Sequence, residues 1–266
     1  MDLELTDKTA IVTGGSRGIG KAIARELARE GVDIAIAARD MKTLEATARE
    51  LEAETGRRIV PIQADTGDDD SVRNLILRAT EALGHVDILV NNAAKPGGQG
   101  RVPSLEEITA ELFWDDMNVK VMGYLRCARE MAPLMKQRGW GRIINISGMA
   151  ARSSGSTIGS MRNVAVSAMT KNLADELGPH GINVTVVHPG TTRTEATAGL
   201  VEARAKAEGV SPAEIEAGMA QRNTVRRFID ATEIAYVVAF LASPKAGSIT
   251  GDAIAAGGGA GPGIHY

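Results

Sequence analysis

The segment Thr13-Gly14-Gly15-Ser16-Arg17-Gly18-Ile19-Gly20 gathers four glycines between a short apolar run, Thr9-Ala10-Ile11-Val12, and a helix-forming one, Lys21 to Glu30. Glycine permits positive φ and lets a backbone come close to a ligand. The free amides and positive dipole end of the following helix suit a pyrophosphate. This is nucleotide-binding chemistry; the other reading is a tight strand-to-helix turn with no ligand. A second polar group lies at Ser153, Ser154, Ser156, Thr157, Ser160 and Arg162. Serines are poor acids, and arginine stays charged, so Arg162 could hold an oxyanion without moving a proton. The bland reading of this Ser/Gly-rich run, and the preferred one, is a flexible loop. His188 reads as a structural histidine, His85 and His180 as capping charges at helix ends, and Met149, Met161 and Met169 as packing.

Strand and helix signals alternate along the whole chain. After the first strand and helix come a strand at Val32–Ala37, a helix at Met41–Glu54, a strand at Val60–Ala64 and a helix at Asp68–Leu83 opened by acidic residues. A fourth strand covers Val86–Val90, a long helical region Ala110–Arg138, and a fifth strand Arg142–Ser147. A helix ending near Leu177 precedes a sixth strand at Ile182–Val187. Glu195 to Arg222 reads as one or two helices, Thr232–Leu241 as the last helix, and Asp252–Ala256 as a closing strand. Such alternation predicts an α/β fold, a single-domain, doubly wound parallel sheet of Rossmann type with helices on both faces. No repeat, linker or composition shift divides residues 1–266. The tail, Gly257–Tyr266, is glycine-rich and is either flexible or packed on a neighbouring subunit.

Hydrophobic residues make up 44% and charged residues 24% of 266, a balance ordinary for a soluble globular protein. The net charge of −3 and 3% aromatic content favour neither nucleic acid nor an anionic membrane as partner. A single cysteine, Cys127, excludes an internal disulfide and a cysteine zinc cluster, and no metal site is expected. No apolar run approaches a membrane span, and the acidic start is not a signal peptide, so a cytoplasmic location is expected.

Thr13-Gly14-x-x-x-Gly18-x-Gly20, Asn91-Asn92-Ala93-Ala94, Asn118, and Pro189-Gly190 with Thr194 fall in the order and spacing of one family. Over essentially its whole length the chain resembles the short-chain dehydrogenase/reductases. The resemblance implies a nicotinamide dinucleotide cofactor and an oxidoreductase acting on a carbonyl or alcohol. It assigns the pyrophosphate to Gly14, Ser16, Arg17, Gly18, Ile19 and Gly20. It puts Asp65 and Thr66 near the adenine, and Asn92, Ala93 and Ala94 beside the cofactor, where Ala94 replaces the usual glycine. Pro189, Gly190, Thr192 and Thr194 would fix the nicotinamide end. The second strand ends Ala37-Ala38-Arg39-Asp40, with alanine at the usual acidic position. A 2′-phosphate needs positive charge, so Arg39 and Arg17 favour NADP(H) over NAD(H). In the alternative, Arg39 is a solvated loop charge and Asp40 takes the ribose. A homotetramer, built on helices near Ala110–Arg138 and Val164–Leu177, and a substrate lid at about 195–225 are also implied.

The family's proton machinery is an Asn-Ser-Tyr-Lys set. Counting back from Thr170-Lys171 puts its lysine at Asn163 and its tyrosine at Gly159, and the fifth strand puts its serine at Gly148. Asn118 and the neighbouring Ser147 are what remain as catalytic candidates. Ser147 can serve only if the strand has ended or bulged there, because a one-residue offset in a strand reverses the side chain. Asn118 reads equally as a helix-kink asparagine. Two readings follow: an NADP(H)-dependent oxidoreductase with an atypical proton relay, or a cofactor-binding pseudoenzyme serving as sensor, scaffold or silent subunit. A lyase or isomerase step on the same fold is a third.

Overall fold

The computed structural model describes residues 1–95, 101–261 and 263. Seven strands form one parallel sheet in the order β3-β2-β1-β4-β5-β6-β9. They are β1 (Thr9–Thr13), β2 (Asp33–Ala38), β3 (Ile59–Gln63), β4 (Ile88–Asn91), β5 (Gly141–Ile146), β6 (Ile182–Pro189) and β9 (Ala253–Ala256). β7 (Thr192–Arg193) and β8 (Ile229–Asp230) pair separately. The helices are α1 (Gly18–Arg29), α2 (Met41–Thr55), α3 (Asp69–Leu83), α4 (Ala110–Met117), α5 (Gly123–Arg138), α6 (Thr157–Leu177), α7 (Glu195–Glu208), α8 (Pro212–Ala220) and α9 (Ala231–Ala242). The fold is the expected single-domain α/β sheet with helices on both faces. Among the described residues no helix is long and apolar enough to cross a membrane, and no group of three or more His, Cys, Asp or Glu is placed to hold a metal.

Both faces of the sheet are buried, and the strand period of two sorts residues between them. Ala10, Val12, Ile34 and Ile36 join Ile23, Leu27, Leu44 and Val238 on one side. Ile11, Ala35 and Ala37 join Leu75, Leu89, Met131, Ile143 and Val184 on the other. Strand order reverses beside β1, whose neighbours are β2 and β4. The carboxyl ends of β1 and β4 therefore flank the crevice where ligands bind in open parallel sheets.

Several local expectations change. The long helical region is broken by a π-helical turn, Asn118–Met122, between α4 and α5. The Ser/Gly-rich run is not loop throughout: Ser156 accepts from the Gly159 amide and caps α6, so Gly159 and Ser160 lie in a helical turn. Segment 195–222 is two helices, because Ser211 caps α8 and Pro212 occupies its first turn. The start of the tail is tied to its own chain, since the Gly258 carbonyl accepts from the Thr224 and Val225 amides. Residues 262 and 264–266 of that tail lie outside the described residues. His85 pairs with the buried Asp87 at 3.1 Å rather than capping a helix.

Candidate active site

Thr13 and Asn92 lock the glycine turn to β4. Thr13 Oγ1 accepts from the Asn92 and Ala93 amides at 3.0 and 3.1 Å. Asn92 Nδ2 donates to the carbonyls of Thr13 and Gly14 at 3.0 and 3.2 Å. Gly14 has φ of +66°, and a Cβ there would stand 2.8 Å from Asn92 Nδ2. A Cβ at Gly20 would stand 2.2 Å from the Gly14 carbonyl oxygen, so helix and turn meet at backbone distance. The turn also accepts from α2, through Thr47 Oγ1 to the Ser16 carbonyl at 2.8 Å.

α1 starts at Gly18 with no side-chain cap from Arg17. Its first amides are thus available to an anion. One is engaged: Gly18 N–H donates to Glu195 Oε2 at 2.9 Å. A carboxylate of the chain itself thus occupies one of these donors. Thr194 lies alongside, its methyl carbon 3.6 Å from where a Gly18 Cβ would be. The loop after β6 thus reaches the cradle. Gly190 packs against Gly257, and Thr192 Oγ1 donates to the Gly190 carbonyl at 3.0 Å.

At the tip of β2, Ala38 is half-buried, and Arg17 and Arg39 are exposed. Asp40 is committed elsewhere. Its carboxylate caps α2, accepting from the amides of Lys42 and Thr43 and from Thr43 Oγ1. Hydrogen bonding to Thr43 holds its pKa below the ordinary value. On β3's exit, Asp65 Oδ1 accepts from the Gly67 amide, and Thr66 Oγ1 donates to the Val119 carbonyl.

The Asn118 side chain is fully engaged by protein. Nδ2 donates to the Gly67 carbonyl at 3.1 Å, and Oδ1 accepts from Arg126 at 2.9 Å. Ser147 stands just beyond the end of β5, and its hydroxyl donates to the Asn163 carbonyl at 3.2 Å. Gly148 follows, with its amide donating to His188 Nδ1 at 3.4 Å, so His188 buttresses this backbone. A Cβ on Gly148 would meet Asn163 Nδ2 at 3.1 Å, and one on Gly159 would meet Ser156 Oγ at 2.8 Å. Gly148, Asn163 and Ser147 therefore converge, whereas Asn118 faces Arg126.

Lys120, which sequence reading passed over, completes this cluster. It lies on the π-helical turn and is 3% exposed. Its ammonium donates to the Ser147 carbonyl at 2.9 Å and to Asn163 Oδ1 at 3.1 Å. Burial lowers its pKa to about 7; the nearby Arg162 guanidinium pushes the same way, and Asp116 opposes. Arg162 is itself buried and paired to Asp116 at 2.6 Å. A signal was available: the buried stripe of α5, Tyr124, Cys127, Ala128 and Met131, extended back by four residues, lands on Lys120. At the start of α6, Val102, Pro103, Ser154–Thr157, Ser160 and Met161 line an open cleft of about 550 Å³. Met161, expected to be packing, is 50% exposed and lines that cleft.

Comparison with known proteins places these features in a lineage. The family described as Enoyl-(Acyl carrier protein) reductase matches residues 14–261. The chain is 33% identical to the NADPH-dependent reductase BacG of Bacillus subtilis, over 96% of this chain and 98% of the relative. It is 35% identical to the 3-oxoacyl-[acyl-carrier-protein] reductase FabG of Staphylococcus aureus, over 95% and 97%. Its fold superposes on the L-sorbose reductase of Gluconobacter frateurii, solved with NADPH and L-sorbose, with a TM-score of 0.93 at 29% identity, covering 99% and 100%. An NAD⁺-bound xylitol dehydrogenase superposes with a TM-score of 0.87 at 26% identity, covering 96% and 100%. By family match, full-length sequence identity and fold alike, the chain belongs to the short-chain dehydrogenase/reductase family.

Proposed function

We propose that this protein is an NADP(H)-dependent oxidoreductase acting on a carbonyl or alcohol, with a proton relay unlike the family's usual one. The observation that carries this reading is the anion cradle at Gly18, already drawing the Glu195 carboxylate, at the carboxyl edge of β1. When bound, the nicotinamide would supply or take the hydride. The amides of Gly18 and Ile19 would hold the pyrophosphate. Arg39 and Arg17 would hold the 2′-phosphate, a role supported by the absence of a free carboxylate at Ala38 and the commitment of Asp40 to α2. Pro189, Gly190, Thr192 and Thr194 would position the nicotinamide.

Of the usual proton machinery, Gly148, Gly159 and Asn163 stand at the serine, tyrosine and lysine positions. General acid–base help is worth about 10²–10⁴ in rate, so its loss slows a reductase without removing hydride positioning. Purified protein with NADPH and a panel of ketones, 3-oxoacyl thioesters and ketoses tests the reading. Consumption of NADPH with an alcohol product is expected. Saturable NADPH binding with no turnover across the panel would favour the second reading, a cofactor-binding pseudoenzyme, for which glycine at 159, with no side chain to move a proton, speaks. The expected homotetramer is supported by the exposed Leu112, Trp114, Met161 and Val164 on α4 and α6, and sedimentation velocity tests it.

A further inference from the structure

We propose that the side-chain amide of Asn163, oriented by Lys120, supplies the hydrogen bond that receives the substrate's carbonyl oxygen. This rests on the reductase reading above. A lysine ammonium has three donors and no acceptor, so the amide oxygen of Asn163 must face it. That fixes Nδ2 on the opposite side, against the open face of Gly148, in the volume a side chain there would fill. Asn163 is 3% exposed as a residue, and among the described residues its Nδ2 donates to no acceptor, yet it is not one of the fully buried unpaired atoms. A donor that faces Gly148, keeps some access to solvent and lacks a protein acceptor is free to meet an incoming one.

Gly148, Asn163 and Lys120 form one arrangement. Glycine at 148 leaves room for a carbonyl oxygen beside Nδ2. Lys120 comes from the π-helical turn, not from α6, and its charge polarises the amide through Oδ1. Ser147 secures the same unit from the other side, its hydroxyl donating to the Asn163 carbonyl and its own carbonyl accepting from Lys120. A reduced nicotinamide, when bound, would supply hydride with its electron pair to the carbonyl carbon. The C=O π pair moves to oxygen, and the resulting alkoxide is held by Asn163 Nδ2–H. An amide is no acid, so the alkoxide takes its proton from solvent water, which leaves as hydroxide to the bulk. Asn163 thus acts as an oxyanion donor, and Lys120 as a positioning residue.

Asn163→Asp is the decisive variant. It keeps an oxygen for Lys120 and nearly the same shape, but turns the outward donor into an acceptor. A structural role for Asn163 predicts little change, since a carboxylate pairs well with an ammonium. With the full-length protein, NADPH, and L-sorbose and an acetoacetyl thioester as probes, kcat of Asn163→Asp should fall about 10²–10³-fold, with NADPH affinity unchanged. Asn163→Asp within threefold of wild type would overturn the proposal and leave the cofactor reading intact. A wild type that binds NADPH but reduces neither probe would overturn both. As a second readout, wild-type kcat should decline as pH rises through about 7, where Lys120 loses its proton among Arg162, Asp116 and Asn163. Lys120→Arg, which stays charged, should move that decline to higher pH. An identical profile in both proteins would count against the role of Lys120.

Discussion

Glu195, the first residue of α7, accepts a hydrogen bond from the Gly18 amide at the start of α1, 177 positions earlier in the chain. Glu195 of the lid-like segment and any incoming anion thus compete for the same donor. A pyrophosphate at Gly18 must displace this carboxylate. Glu195→Gln weakens the competitor and relieves repulsion of the incoming anion. It should tighten NADPH binding about two- to fivefold, the scale of a single charge at a helix end. Fluorescence titration of the variant reads this; unchanged or weaker affinity would show that Glu195 does not gate the cradle.

Lys120 links stability to pH. Its ammonium is held in a buried place, and the folded pKa is about 7 against an ordinary 10.5. Between these values the unfolded chain binds the proton and the folded chain does not, so stability rises as pH increases from 7 toward 10. Urea denaturation at pH 7, 8 and 9 should show a rising difference between wild type and Lys120→Met, in favour of wild type. A difference constant across that range would contradict a perturbed Lys120.

Cofactor choice depends on the tip of β2. Ala38→Asp introduces a carboxylate that repels a 2′-phosphate and accepts from a 2′-hydroxyl. The ratio of NADPH to NADH affinity should fall about tenfold or more. Arg39→Ala should lower it in the same direction. Asp40→Ala should lower the Tm by removing the cap of α2 while leaving the ratio alone. A shift of the ratio in Asp40→Ala would mean that Asp40, not Arg39, meets the ribose.

Restoring the family's proton machinery is complicated by Lys120. The triple change Gly148→Ser, Gly159→Tyr, Asn163→Lys would put a second ammonium against that of Lys120, with Arg162 adjacent. Like charges at such distance in a buried place repel strongly. The graft should therefore gain carbonyl reductase activity only when combined with Lys120→Ala, by about tenfold over the triple variant. Equal activity with and without Lys120 would show that the two ammonium groups do not meet.

The sheet and its flanking helices were readable because both faces of β1 and β2 are apolar and α1, α2, α3, α5 and α9 each carry a buried stripe. The glycine turn was readable because Gly14 and Gly20 sit where only backbone fits. What escaped was tertiary in origin. The π-helical turn at Asn118–Met122 has ordinary helix-forming residues, and β7 and β8 are two-residue strands that exist only by pairing with one another. Lys120 resembles a surface lysine until the helix is known to turn it toward Asn163. The engagement of Asp40 by α2, and of Asn118 by Arg126, likewise depended on partners brought by the fold.

The central claim is that the cradle of β1 and α1 holds NADP(H). It is tested most directly by titrating the purified full-length protein with NADPH and NADH and following cofactor fluorescence. Saturation by NADPH with an affinity about tenfold or more above that for NADH is predicted. Failure of either dinucleotide to saturate would contradict the account at its base.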